Sequence, residues 1–176
     1  MAIAPGTYTL GPQNGELLVH TRRQGAAARA GHDLEMIVTQ WSATLTLGEP
    51  ASLTLTADSS SFRVREGRGG IKSLGEDDKA NIRQTIDDEV LKRAAIEFRS
   101  DQVESSGDRI YVRGELELMG KTRPLGFELH ADRDRVTGRA TVKQTDWGLK
   151  PYTALFGALK VADEVEITVD AGLQSR

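Results

Sequence analysis

Apolar and polar positions alternate with a period of two through most of the chain, the repeat of strands that bury one face. Leu17 and Val19 alternate with Leu18 and His20, and Leu34, Met36 and Val38 with Glu35 and Ile37. Trp41, Ala43, Leu45 and Leu47 then take over the apolar phase. The phase change between Val38 and Trp41 predicts a bulge or sharp bend in one long strand. Leu53, Leu55 and Ala57 follow, then Phe62 and Val64 between Arg63 and Arg65. In the second half, Ile96 and Phe98 open a strand, and Ile110, Val112, Gly114, Leu116 and Leu118 form another. Met119-Gly120-Lys121-Thr122 reads as a hairpin turn, after which Leu125, Phe127 and Leu129 run back. Val136 to Thr145 and Glu164 to Leu173 complete the set. About eight hairpin-linked strands predict an antiparallel sandwich or closed barrel.

Two segments break the alternation. Ser73-Leu74-Gly75-Glu76 has capping-box spacing, and Ile82, Ile86, Val90 and Ala94 recur every fourth residue. Asp77 and Asp78 near the start and Lys92 and Arg93 near the end complement a helix dipole. A helix is therefore expected over residues 76–93, lying across the barrel or covering one end. Pro151 to Leu159 is expected to form a shorter second helix, with Leu155, Phe156 and Leu159 on one side.

At 176 residues, with about 150 per domain as the norm, the chain reads as a single domain over 1–176. The absence of Cys excludes disulfide scaffolds, thiol nucleophiles and Cys-ligated metals. A formal charge of −3 argues against a nucleic-acid partner, which favours a basic surplus. The longest apolar runs are too short for an integral membrane helix. Met1-Ala2-Ile3-Ala4-Pro5-Gly6 has neither a basic region nor a signal-length apolar stretch, so a cytoplasmic location is expected.

Candidate chemistry is sparse. The chain has no G-x-S-x-G elbow, no H-E-x-x-H and no phosphate loop. Gly67-Arg68-Gly69-Gly70 reads as a flexible connection. His32 and Asp33 are neighbours on a strand and point to opposite faces, so they do not form a dyad. His20, His32 and His130 have no metal-ligand spacing, and neither metal nor cofactor is expected. Asp77-Asp78 and Asp87-Asp88 read as dipole partners and a solvated helix face. The basic run Arg63, Arg65, Arg68 and Lys72 offers candidate head-group contacts at a barrel mouth, against the plainer reading of a charged edge that resists sheet-to-sheet pairing.

The residues also carry a resemblance. Tyr8-Thr9-Leu10, the Gly31-His32-Asp33-Leu34 bend, Ile96-Glu97-Phe98-Arg99-Ser100 and Gly114 to Pro124 occur in order. The last two match I-x-F-x-S followed by G-x-L-x-(hydrophobic)-x-G-x-T-(basic)-P, and Thr145-Asp146-Trp147-Gly148-Leu149 follows. The chain resembles the YceI-like family, the lipocalin-like polyisoprenoid-binding domains, over roughly residues 7 to 173. Many members have a His-Ser pair where this chain has Asn14-Gly15, and a His where it has Arg23, which marks a divergent branch. The resemblance implies an all-β, extended antiparallel lipocalin-like barrel of about eight strands. It also implies a bound polyisoprenoid, isoprenoid quinone or similar amphiphile, no catalytic residue, and homodimers among members, many of which are exported.

Candidate lining residues are Leu34, Met36, Val38, Phe62, Ile96, Phe98, Leu116, Phe127, Leu129, Trp147 and Phe156. The expected function is non-catalytic carriage or sequestration of that amphiphile. Two rival readings are an enzyme using His32, His130 or Asp146 as acid or base, and a filled barrel that binds protein through its surface.

Overall fold

A computed structural model describes residues 3–154 and 157–173. The chain runs through β1 (Gly6–Leu10), β2 (Gly15–Thr21), β3 (Arg23–Gln24), β4 (Asp33–Val38), β5 (Trp41–Leu47), β6 (Ser52–Ala57) and β7 (Phe62–Arg68). The helix α1 (Glu76–Thr85) and a π turn (Ile86–Val90) come next. β8 (Ile96–Ser106), β9 (Arg109–Leu118), β10 (Lys121–Asp132) and β11 (Arg135–Lys143) follow. After a 3-10 turn at Gln144–Trp147 come β12 (Thr153–Ala154), β13 (Leu159–Val161) and β14 (Glu164–Gly172).

Among the described residues, eleven strands form one antiparallel sheet in the order β1-β5-β6-β8-β9-β10-β11-β14-β2-β4-β7. The first and last positions of that order share chain lines. Only Thr39 and Gln40 separate β4 from β5, yet these strands lie at opposite ends of the list. The sheet must therefore curl until its ends meet. Registers show the same thing: Leu18 faces Ile37 in β4, while Leu10 faces Ala43 in β5. Phe62 faces Val38, while Ala57 faces Trp41. Thus β1–β2, β4–β5 and β6–β7 are three long staves, each broken once, and with β8, β9, β10, β11 and β14 they make eight positions around a barrel. The three breaks raise the main sheet from the expected eight strands to eleven, and β3, β12 and β13 form a separate small sheet.

Each break is bonded. Asn14 fixes the first: its Oδ1 accepts the Gly11 N–H at 2.9 Å, and its Nδ2 donates to the Thr9 and Gly172 carbonyls. At the second, Thr39 donates its N–H and its hydroxyl to the Ser61 carbonyl, both at 2.8 Å. The Asp58 N–H donates to the Gln40 carbonyl at 3.0 Å. The bend expected between Val38 and Trp41 is this corner.

The Met119-Gly120 hairpin also follows the sequence reading. Leu118 faces Lys121 across a two-residue turn with φ of 52° and 72°, the left-handed pair of a type I′ turn. The main helix is shorter than expected, because its last turn widens to a π turn ending at Val90. Gly75, rather than Ser73, is its N-cap, and its N–H is accepted by the Asp78 carboxylate at 3.0 Å.

The expected second helix is corrected. Thr153 and Ala154 pair with Lys160 and Leu159, and β13 pairs with β3 as a three-stranded flap. Strand partners at β3 and a left-handed Gly157 (φ 86°) compete successfully with a short helix there. Leu155 and Phe156 lie outside the described residues. No described helix is long and apolar enough to cross a membrane.

Two carboxylates tie turns together. Asp58 accepts the Ser60 hydroxyl at 2.6 Å and the Ser60 N–H at 2.8 Å, and these bonds hold it below its ordinary value of 3.8. Asp163 is lowered chiefly by the Thr145 hydroxyl, at 2.6 Å. A depressed folded value stabilises fully above the ordinary value and is lost as pH falls through the folded one. Urea titrations across acidic pH should show stability falling below about 3.8. The double variant Asp58→Asn/Asp163→Asn should start lower and have a flatter acid limb.

Candidate functional site

Alternation sends one series of side chains inward from each stave, and the two ends of the barrel are filled differently. At one end Tyr8, Leu45, Leu47, Ile110, Val112 and Ala131 pack as a solid core, with Leu45 fully buried. Toward the other end the walls enclose a cavity of about 540 Å³. That is within the ~300–1,000 Å³ of ligand sites, whereas packed interiors hold few voids larger than a water molecule.

The walls are apolar and come from nearly every stave. Leu17 and Val19 of β2 face the cavity beside Leu34, Met36 and Val38 of β4. Trp41, Leu55 and Phe62 stand near the corner. Ile96 and Phe98 of β8, Leu116 of β9, and Phe127 and Leu129 of β10 form the opposite wall, where the Phe98 and Phe127 rings lie 5.3 Å apart. Val165, Ile167 and Val169 of β14 close the circuit. Among the described residues β7 pairs with β4 alone, so its outer edge has no strand partner. α1 packs against it, and Ile82, Ile86 and Val90 line the cavity on that side.

The apolar series become polar at the flap end. Inward positions of the first stave read Leu17, Val19, Thr21 and, two residues on, Arg23. Those of the second read Val38, Met36, Leu34 and His32. Arg23 Nη1 donates to the Gly31 carbonyl at 2.8 Å and to the Arg68 carbonyl at 3.2 Å. Its own N–H is accepted by Asp33 at 2.9 Å. His32 Nε2 lies 2.6 Å from the Lys72 carbonyl and so carries the proton it donates there.

Both side chains are roofed by the glycine-rich connection that follows β7. Gly69 and Gly70 have φ of 81° and 77°. A Cβ at Gly69 would collide with the Arg23 guanidinium, and one at Gly70 with the His32 ring.

Nine of the eleven sequence-derived lining candidates line this cavity: Leu34, Met36, Val38, Phe62, Ile96, Phe98, Leu116, Phe127 and Leu129. Trp147 does not; it is buried beside the barrel with its indole N–H donated to the Leu116 carbonyl at 2.7 Å. Phe156 lies outside the described residues.

None of Arg63, Arg65, Arg68 and Lys72 lines it. With Phe62 and Val64 inward, Arg63 turns back to the Ser60 and Phe62 carbonyls, and Arg65 sits between Glu16 (3.0 Å) and Glu35 (3.8 Å). Arg68 pairs with Glu66 at 3.3 Å, and Lys72 contributes its carbonyl to His32. The basic residues that do line it are Arg23, Lys160 on the flap and Arg139, which is paired with Glu166 at 3.5 Å; counting the β2 alternation one step past Thr21 finds Arg23. The helical residues Ile82, Ile86 and Val90 were legible as a stripe but not as a cavity wall.

The acid–base candidates lie apart. His32 is at the mouth, His130 is an exposed residue of β10 with Nδ1 3.7 Å from Asp108, and Asp146 is exposed on the 3-10 turn. Among the described residues no group of three or more His, Cys, Asp and Glu could hold a metal ion.

An eight-position antiparallel barrel, solid at one end and hollow and apolar at the other, has a lipocalin-like architecture. The chain matches the YceI-like domain over residues 8–173 and belongs to that family. No curated protein matches it. Among solved structures it is similar to BcnA of Burkholderia cenocepacia, at 16% identity and a TM-score of 0.60, covering 89% of this chain and 94% of that one. It is also similar to a mutant CJ YceI protein crystallised with a monobromobimane guest, at 12% identity and a TM-score of 0.57, covering 81% and 86%. At these identities the likeness is one of fold.

The glycine roof generates a test. Gly69→Ala should lower stability by about 1–3 kcal/mol in thermal or urea unfolding, the usual cost of a strained backbone position. Combining it with Arg23→Ala should recover the part due to collision and leave the part due to positive φ.

Proposed function

We propose that the protein binds a long apolar amphiphile inside the barrel, of the polyisoprenoid, isoprenoid quinone or similar lipid class, without transforming it. The observation that carries this is the hollow half of the barrel, where inward positions of nearly every stave present aliphatic and aromatic groups to a continuous space. An apolar space of this size, open at its mouth, is suited to covering an apolar chain. Each methylene transferred into it gains about 0.8 kcal/mol, so a chain of roughly fifteen carbons gains on the order of 10 kcal/mol before ordering costs. Family membership supports the same reading, and the scattered acid–base candidates favour carriage over catalysis.

The test is lipid extraction and native mass spectrometry of purified protein, followed by titration of a delipidated sample with long-chain isoprenoids, quinones and fatty acids. Saturable binding is expected, and a protein that binds none of them overturns the reading. Leu34→Trp, which fills space at a partly buried wall position, should weaken uptake about tenfold or more. Trp147→Phe removes a hydrogen bond outside the cavity. It should cost about 1 kcal/mol of stability and leave uptake unchanged.

A further inference from the structure

We infer that the flap end of the cavity is a subsite for an acidic head group, a carboxylate or a phosphate, centred on Arg23; this rests on the lipid-binding reading above. Among the described residues that line the cavity there is no Asp or Glu, whereas Arg23, Arg139 and Lys160 line it. Arg139 is exposed and paired with Glu166 and Lys160 is an exposed flap residue, while Arg23 and His32 end their inward series at the same mouth. A ligand threaded tail-first toward the solid end therefore leaves its polar end beside a cation.

The guanidinium is built in rather than loosely exposed. Its side chain is 29% exposed, and Nη1 is anchored by the Gly31 and Arg68 carbonyls. The Gly69-Gly70 roof leaves just the space it needs. Nη2 has no hydrogen-bond partner among the described residues. Asp33 offsets the charge only in part. Its Oδ1 lies 3.9 Å from Nε, is already taken by the Arg23 backbone N–H, and belongs to a carboxylate 44% exposed. His32, fixed by donation to Lys72, borders the same space, and Thr21 adds a buried hydroxyl. An oriented arginine with a free edge suits a planar or tetrahedral oxyanion. An ammonium head there would meet like charge, and a hydroxyl would gain no charge assistance.

The experiment titrates the delipidated full-length protein with hexadecanoate, hexadecyl phosphate, hexadecan-1-ol and hexadecylamine, which share one tail. At least one of the two acids should bind about tenfold or more tighter than the alcohol, the usual gain of a charge-assisted hydrogen bond, with the amine weakest. Which acid is preferred tells carboxylate from phosphate recognition. Arg23→Gln should bring the ratio of acid to hexadecanol affinity close to one, and Arg23→Lys should keep part of the acid advantage. Alcohol binding as tight as that of both acids in the unmodified protein overturns the subsite without any variant. So does an acid advantage that survives Arg23→Gln. Failure of all four tails to bind overturns the lipid-cavity reading itself.

Discussion

The pairing of β14 with β2 is the interaction on which the barrel depends. It joins the last strand to nearly the first, from Glu166 opposite His20 to Ala171 opposite Gly15, and β14 is paired along its other edge with β11. Without it the remaining pairs describe a curled strip. With it, the alternation of each stave acquires an inside and an outside, and the number of staves fixes the width. Eight positions leave an interior that side chains can fill or that a small ligand can occupy. This chain does one at each end. Tyr8, Leu45 and Leu47 complete a packed core, while toward the flap the inward aliphatic and aromatic side chains surround a space instead of filling it.

The helix belongs to this arrangement as a replacement for sheet. Where β7 runs on past the corner it has no strand neighbour on its outer side among the described residues, and an open edge beside an apolar interior would be exposed to solvent and to other chains. α1 and its π turn lie there, contributing Ile82, Ile86 and Val90 to the wall. Polar residues dominate its remaining positions, consistent with a single face in contact with the barrel.

The sequence made the barrel legible because each stave repeats one instruction, apolar in and polar out, over enough residues to be read locally. The phase change at Val38 to Trp41 even located the corner. It did not show that the two halves of such a line pair with different neighbours, since pairing is nonlocal. The flap was misread for a related reason: Thr153-Ala154 and Leu159–Val161 are strands because β3 lies beside them, not because of their own pattern. At the site, wall residues followed from parity, but Arg63 and Arg65 attracted attention as a cluster although the inward Phe62 and Val64 put them outside. Arg23 carries no local signal beyond its parity with Thr21.

The chain contains two tryptophans, and the fold puts them in unlike surroundings. Trp41 lines the cavity near the corner, buried at 6% exposure, with an indole nitrogen that has no hydrogen-bond partner among the described residues. Trp147 is as deeply buried but lies outside the cavity with its indole bonded to the backbone of β9. The intrinsic fluorescence of the protein is thus a sum of a chromophore in contact with the contents of the barrel and one sheltered from them. An occupant of the cavity would touch the first indole directly and the second only by way of the Leu116 wall, so a change in the first would make occupancy readable without any attached dye.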